Sequence, residues 1–162
     1  MLADGELRLR PPGPVDAGAL AAIVAEPEVR RWWPGADFEL ERGWVLEVDG
    51  ETGGWLEYHE ETHPWFLSVA FDIFLASRLH GRGYGRRALR LGIGHFAARG
   101  HHRFTLDPNA RNERAIRCYA SLGFRAVGVM HAYERDPAGG WNDALLMELV
   151  LEPGADAPAA PS

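Results

Sequence analysis

Gly81, Gly83 and Gly85 alternate between an apolar, strand-like run (residues 65–75) and a helix-like run (residues 88–99). That order permits few local structures. A strand, a glycine turn and a helix start bring unpaired backbone N–H groups and the positive end of a helix dipole to one point. Such a point binds anions. Glycine is needed where side chains would keep the backbone away from a phosphate. The local charge agrees. Arg78, Arg82, Arg86, Arg87 and Arg90 crowd the segment with no acid among them, in a chain of formal net charge -6. The expected ligand is a phosphorylated cofactor.

Spacing narrows the choice. Gly-x-Gly-x-Gly is not the Gly-x-Gly-x-x-Gly dinucleotide fingerprint. A nucleoside-triphosphate loop requires Gly-Lys-Ser/Thr, and the chain contains no lysine. A tight turn that merely starts a helix is the plain alternative, and the glycines alone do not exclude it. Specificity comes from a second stretch, Asp107-Pro-Asn-Ala-Arg-Asn-Glu-Arg-Ala-Ile-Arg-Cys-Tyr-Ala-Ser-Leu-Gly-Phe124. Arg82-Gly-Tyr-Gly85 followed by Asn112-x-x-Ala115-x-x-x-Tyr119-x-x-x-Gly123-Phe124 resembles the GNAT superfamily of acyl-CoA-dependent N-acyltransferases. Within it, Asp107-Pro, Asn112, Ala115-Ile-Arg-Cys-Tyr119 and Gly123-Phe124 are most similar to aminoglycoside 6′-N-acetyltransferases, and the Trp32-Trp33 pair fits that group. The resemblance covers roughly residues 6–151 in element order. One departure is His80, where the family usually has Gln or Arg.

At 162 residues the chain is most simply one domain, residues 1–151, with an Ala- and Pro-rich tail (residues 152–162) expected to be disordered. Hydrophobic content of 46% and charged content of 25% fit a soluble globular protein. No apolar stretch is long enough to span a membrane and no secretory segment opens the chain, so a cytoplasmic address is expected. Cys118 is the single cysteine, which excludes an intrachain disulfide and a cysteine metal cluster. All 17 basic residues are arginine, so Schiff-base chemistry on lysine is excluded. The acidic balance argues against nucleic acid as a partner and suits a cationic substrate.

Taken in order, residues 6–10 read as a first strand, ended by Pro11-Pro-Gly-Pro14. Asp16 is expected to cap a helix over residues 17–25, whose Leu20, Ile23 and Val24 form one face. A short helix over residues 28–33 follows, stopped by Pro34-Gly35. Trp32 and Trp33 either wall a substrate cleft or pack in the core, with at most one of the pair facing the cleft. Residues 44–48 and 52–58 read as strands joined by an Asp49-Gly50 hairpin turn. His59-Glu-Glu-Thr-His63 matches the His-Glu-x-x-His zinc pattern, but that chemistry needs a helix, and Pro64 disfavours one. Residues 65–75 form the fourth strand, residues 83–99 a helix and residues 103–107 the fifth strand. The intervening helix makes the fourth and fifth strands parallel. A helix over residues 112–122 ends at Gly123, and residues 124–133 and 141–151 close the chain as a strand pair.

The resemblance implies an α/β GNAT fold: a mixed, mostly antiparallel sheet of about seven strands, with parallel, splayed strands four and five and helices on both faces. It implies acetyl-CoA in the gap. The pantetheine amides would pair with backbone near Ile73, Phe74 and Leu75. The pyrophosphate would rest on His80, Gly81, Arg82, Gly83, Tyr84, Gly85 and Arg86. A free N–H near residues 71–73 would polarise the acyl carbonyl. By the same likeness Tyr119 is the acid for the leaving thiolate, against the plain alternative of a core tyrosine. Asn112 contacts the cofactor, caps its helix, or does both.

Asp72 interrupts the apolar run 67–75, where an unpaired carboxylate would be costly. It and Asp107 are the candidates to bind the acceptor ammonium and take its proton. Asp107 has the alternative of capping the loop before Asn112. Glu57, Glu60 and Glu61 either add charge to the cleft wall or form a solvated hairpin face. The expected function is acetyl transfer from acetyl-CoA to a primary amine of an aminoglycoside-like or polyamine small molecule, by direct attack in a ternary complex. Alternatives are a peptide N-terminus or siderophore precursor as acceptor, a CoA-binding module without turnover, and, remotely, a zinc hydrolase. The expected partner is a small-molecule amine, with no nucleic acid, no membrane, no metal, and a monomer or homodimer as the assembly.

Overall fold

The computed structural model describes residues 1–33, 35 and 39–152. Pro34, expected to stop the second helix, and all but the first residue of the expected tail lie outside the described residues. The strands are β1 (Leu2–Asp4), β2 (Leu7–Arg10), β3 (Gly43–Val48), β4 (Glu51–Glu61), β5 (Ser68–Leu75), β6 (Arg103–Leu106), β7 (Arg125–Arg135) and β8 (Trp141–Val150). The helices are α1 (Asp16–Val24), α2 (Pro27–Arg30), α3 (Tyr84–Ala97) and α4 (Glu113–Ser121). No described helix is long and apolar enough to cross a membrane.

One eight-stranded sheet runs β1-β2-β3-β4-β5-β6-β8-β7. It has one strand more than expected, because Leu2–Asp4 folds back on β2 through Gly5 at φ 59. The fourth and fifth strands of the sequence reading are therefore β5 and β6. They are parallel, as the crossover helix requires. β5 begins at Ser68, three residues later than expected. Residues 63–66 form a turn closed by Phe66 N–H to His63 O at 2.8 Å, which leaves Trp65 and Phe66 exposed. Asp49 (φ 53) and Gly50 (φ 81) both adopt the left-handed conformation that an Asp-Gly hairpin demands.

Strand alternation builds two cores. Leu46, Leu56 and Phe71 face α3, meeting Leu89, Ile93 and Phe96. Val45, Trp55 and Phe74 point the other way, against Leu20, Ile23, Val24 and Val29 of α1 and α2. The helices thus cover both faces. Gly54 marks how tightly β4 and β5 pair there, since a Cβ would sit 2.2 Å from Phe74 O.

Asp16 does not cap α1. The residue is 1% exposed and belongs to the helix itself. Its carboxylate accepts from Arg10 Nη1 and Nη2 at 2.8 and 2.9 Å, from Gly13 N at 2.6 Å and from Thr52 Oγ1 at 3.1 Å. A buried charge can remain only with partners of this kind, so Asp16 pins α1 to the edge of β2. The Arg10 guanidinium holds its carboxyl down at about 2. A carboxyl depressed on folding contributes stability in full above its unfolded value, near pH 4, and loses it as pH falls towards 2. Asp16→Ala should lower stability by about 3 kcal/mol in urea unfolding at pH 7. The difference from wild type should shrink between pH 4 and pH 2.

Candidate active site

The parallel ladder between β5 and β6 holds two pairs, Val69 with Phe104 and Ala70 with Thr105. β5 continues to Leu75 without a partner on that side. It stays paired with β4 along its full length, from Ser68 opposite Glu61 to Leu75 opposite Gly54. Ala76 N–H donates to Gly53 O at 2.8 Å, and this fixes the alternation. Phe74 and Asp72 turn their main chain to β4, while Ile73 and Leu75 turn theirs to the gap. The N–H and C=O of Ile73 and the N–H of Leu75 are thus the main-chain groups offered to an extended ligand, because Leu75 O lies 2.9 Å from His80 Nε2. Phe74 contributes a wall: its main chain is directed to β4 and its ring meets Trp33 edge-on at 4.8 Å.

The gap opens into a cleft of about 770 Å³. That volume lies within the range of small-molecule sites. At one end is the glycine turn. Gly81 (φ 70) and Gly83 (φ 82) hold left-handed backbone, and a Cβ at either would meet nothing within 4 Å, so the requirement is conformational. Gly83 is the N-cap of α3 and supplies no side-chain cap. The first helical bond to it is Arg87 N–H to Gly83 O at 3.1 Å. The N–H groups of Tyr84, Gly85 and Arg86 therefore lack helical acceptors and make the anion seat. Gly81, Gly83, Tyr84, Gly85 and Arg86 all line the cleft.

The surrounding arginines are less free than their clustering in the sequence implied. Arg87 is bound at 2.7 Å by both Asp4 and Glu6, and Arg78 lies 3.4 Å from Glu51. Arg82 lies against the Tyr84 ring at 5.4 Å and does not line the cleft. Positive charge in the cleft comes from Arg86 and, from α4, Arg114 and Arg117. His80 lines the cleft, but protein groups engage its ring. Nε2 lies 2.9 Å from Leu75 O and Nδ1 3.1 Å from Arg114 Nη2. An Nε2–H tautomer satisfies both contacts, donating to the carbonyl and accepting from the guanidinium. His80 thus ties the end of β5 to α4, and its ring nitrogens are not directed at a phosphate.

α4 adds the next groups. Asn112 Oδ1 caps the helix, accepting from Ala115 N at 3.2 Å, and the residue lines the cleft. Tyr119 is 8% exposed and faces the cleft from the same helix. Its hydroxyl has no hydrogen-bond partner among the described residues. Burial, then Cys118 and the carboxylates of Asp72 and Asp107, push the phenol well above its ordinary range. A neutral phenol with a free O–H can donate a proton to a thiolate. Cys118 also lines the cleft, its thiol pushed up by burial.

Beyond the gap lies an acidic wall. Asp72 on β5 stands directly across from Glu57 on β4. Asp107 follows β6, and Glu134 comes from β7. All four line the cleft. Burial, then the charges of Asp107 and Glu57, push the Asp72 carboxyl up to about 7. Asp107 does not cap the loop before Asn112, where Asn109 Oδ1 accepts from Arg111 N at 2.9 Å. Instead Asp107 Oδ2 accepts from Tyr133 O–H at 2.7 Å. That bond, more than burial, raises the Tyr133 phenol to about 12. Glu60 turns away to His101 and Arg99, at 3.3 and 3.6 Å, and Glu61 accepts from His63 N at 2.7 Å. Of the three hairpin acids only Glu57 faces the cleft. Trp32 and Trp33 both line it. The rule of opposed neighbours fails here because α2 ends at Arg30 and both tryptophans lie beyond the helix.

Tyr133, Glu134, Arg114 and Arg117 were not found by sequence reasoning. The first two lie far along the chain from the motifs. The arginines sit inside the Asn112–Tyr119 motif, where their spacing on the helix was the available signal. The zinc pattern is resolved by secondary structure: His59 lies on β4, so the two imidazoles do not share a helix face.

Asp72 should titrate near pH 7 when followed by carboxyl ¹³C NMR. Asp107→Asn removes a neighbouring negative charge and should move that midpoint down.

The sequence and the solved structures of other proteins agree with this geometry. The profile of the Acetyltransferase (GNAT) family matches residues 11–124. Spermidine N(1)-acetyltransferase of Escherichia coli K12 is 33% identical over 97 residues, 59% of this chain and 52% of the relative. The chain thus spans about half the length of the curated relatives it matches. Mycobacterium smegmatis RimJ, solved in complex with CoA-disulfide, superposes with a TM-score of 0.79 at 26% identity, covering 90% of this chain and 82% of that one. Spermidine N-acetyltransferase of Vibrio cholerae, in complex with CoA and spermine, shares the fold with a TM-score of 0.77 at 17% identity, covering 93% and 98%. The family profile runs from the residues before α1 to the end of the α4 motif, across β5, the glycine turn, α3, β6 and α4; β7, which brings Tyr133 and Glu134 to the cleft, lies beyond it. The chain belongs to the Acetyltransferase (GNAT) family, whose acyl donor is acetyl-CoA.

Proposed function

We propose that this chain is an acetyl-CoA-dependent N-acetyltransferase whose acceptor is a primary amine of a small polycation, with linear polyamines as the leading class. The observation that carries the reading is the wall of four carboxylates, Glu57, Asp72, Asp107 and Glu134, on one cleft with the glycine-turn anion seat. A polyamine has several ammonium groups, and such a wall offers each a counter-charge. The names of the curated relatives point the same way. Aminoglycosides, the acceptors expected from the likeness of the Asp107–Phe124 stretch, carry the same ammonium chemistry and come second.

The residues divide the work as follows. Asp72, ionised, binds the acceptor ammonium and takes one of its protons, which frees the nitrogen lone pair. Asp107, with Oδ2 already held by Tyr133, offers Oδ1 to the same ammonium. The nitrogen attacks the thioester carbonyl. Negative charge builds on the acyl oxygen, which the gap-facing N–H of Ile73 is placed to receive. The C–N bond forms, the C–S bond breaks, Tyr119 gives its phenolic proton to the leaving sulfur, and the second ammonium proton leaves the amide nitrogen for the Tyr119 phenolate, which restores the neutral phenol. The seat at residues 81–86 holds the diphosphate and so sets the depth of the thioester.

Free-thiol release from acetyl-CoA should be measured with spermidine, spermine, aminoglycosides and N-terminal peptides. Polyamines are expected to give the highest kcat/KM. Release no faster than hydrolysis with every amine would refute transfer. Tyr119→Phe should lower kcat by about 10²-fold, with CoA affinity by calorimetry unchanged. An unchanged kcat would remove Tyr119 from the acid role. In wild type, kcat/KM should rise with pH through about 7 as Asp72 ionises, and Asp72→Asn should lower amine kcat/KM far more than CoA affinity.

A further inference from the structure

His59, half of the zinc-like pattern, lies at the back of the acidic wall. It is two residues from Glu57 on β4, so the two side chains share a sheet face. Across the ladder, Asp72 pairs with Glu57 on that same face. His59 Nε2 is 3.1 Å from Glu57 Oε1 and 3.9 Å from Asp72 Oδ2. Glu57 is 9% exposed, and its second oxygen accepts from Trp55 Nε1 at 3.2 Å. The remaining oxygen, Oε1, lies at ion-pair distance from the His59 imidazole, which is placed to offset the charge of this enclosed carboxylate. The imidazole itself is 43% exposed, so one edge meets two cleft carboxylates and the rest meets water.

We infer that His59 is a positioning residue of the proposed transfer site, clasping Glu57 and Asp72 so that Asp72 stays ionised towards the acceptor ammonium. The inference rests on the acetyl-transfer reading for its purpose, but the clasp is a property of the fold. The charge around Asp72 is otherwise negative: Glu57 from β4, Asp107 after β6 and Glu134 from β7 all disfavour its ionised form. Tyr119 of α4 is a neutral phenol at working pH. Around His59, β4 supplies Glu57, β5 supplies Asp72, and Glu61 is directed to the hairpin turn. Histidine is the side chain whose ordinary charge change falls between pH 5 and 8. When protonated it supplies the positive charge that this cluster lacks.

His59→Gln keeps a polar side chain beside Glu57 and removes the charge. The Asp72 carboxyl midpoint, read by ¹³C NMR, should rise by about 0.5 to 1 pH unit. With spermidine, kcat/KM at pH 6.5 should fall about 3- to 10-fold and converge with wild type at pH 9, while CoA affinity and the melting temperature stay unchanged. His59→Lys, permanently charged, should return the midpoint to wild type or below. An unmoved Asp72 midpoint in His59→Gln overturns the inference. If that variant does not fold, His59→Lys decides: an Asp72 midpoint above that of wild type overturns the inference. A midpoint that moves in a protein that acetylates no amine would leave the clasp standing and refute the transfer reading instead.

Discussion

Two adjacent parallel strands stay hydrogen-bonded for two residue pairs and then part. That interruption between β5 and β6 underlies the whole site. Main-chain groups left without a ladder partner are costly when buried and useful when a ligand can satisfy them. Here the free edge belongs to Ile73 and the N–H of Leu75, held straight by the continuous ladder to β4 on the opposite side. β4 is thus the splint that lets β5 stop pairing with β6 without losing its form. The gap falls beyond the carboxyl ends of parallel strands, where open α/β sheets place their ligands.

The cleft is bipolar. The helix start of α3 and the arginines of α3 and α4 make one end suitable for phosphate, and four carboxylates make the other suitable for ammonium. The carboxylates cannot all behave alike, because like charges at close range raise one another's proton affinity. The consequence appears at Asp72, whose carboxyl is pushed into the range where a base can exchange protons at neutral pH. Asp107 is held by a phenol, Glu57 by an indole and an imidazole. Four residues of one charge type thereby acquire separate environments, and acid–base chemistry depends on that separation.

Much of this was legible in the chain. The glycine turn and the Asn112–Tyr119 spacing are short-range patterns whose meaning is set within one turn or one helix, and both took the expected form. The parallel relation of β5 and β6 followed from the helix between them. Other features were hidden for identifiable reasons. Arg87 looked free because its acids, Asp4 and Glu6, arrive from the N-terminal hairpin. Asp16 looked like a cap because its burial against Arg10 and Thr52 depends on how α1 packs on the sheet. Tyr133 and Glu134 reach the cleft from β7, which follows Asp107 by a helix and a strand boundary and pairs with β8 at the sheet edge.

Local spacing alone therefore determined where the glycine turn and its free N–H groups lie, which helix carries the phenol, and that two strands run parallel. These depend on backbone conformation and helical period, which neighbours in sequence set. Tertiary structure decided which arginines are already neutralised, which acids face the cleft, and that a histidine from an apparent metal motif closes on two carboxylates instead. Those are through-space facts: charge pairing and desolvation depend on distances that only the folded sheet creates.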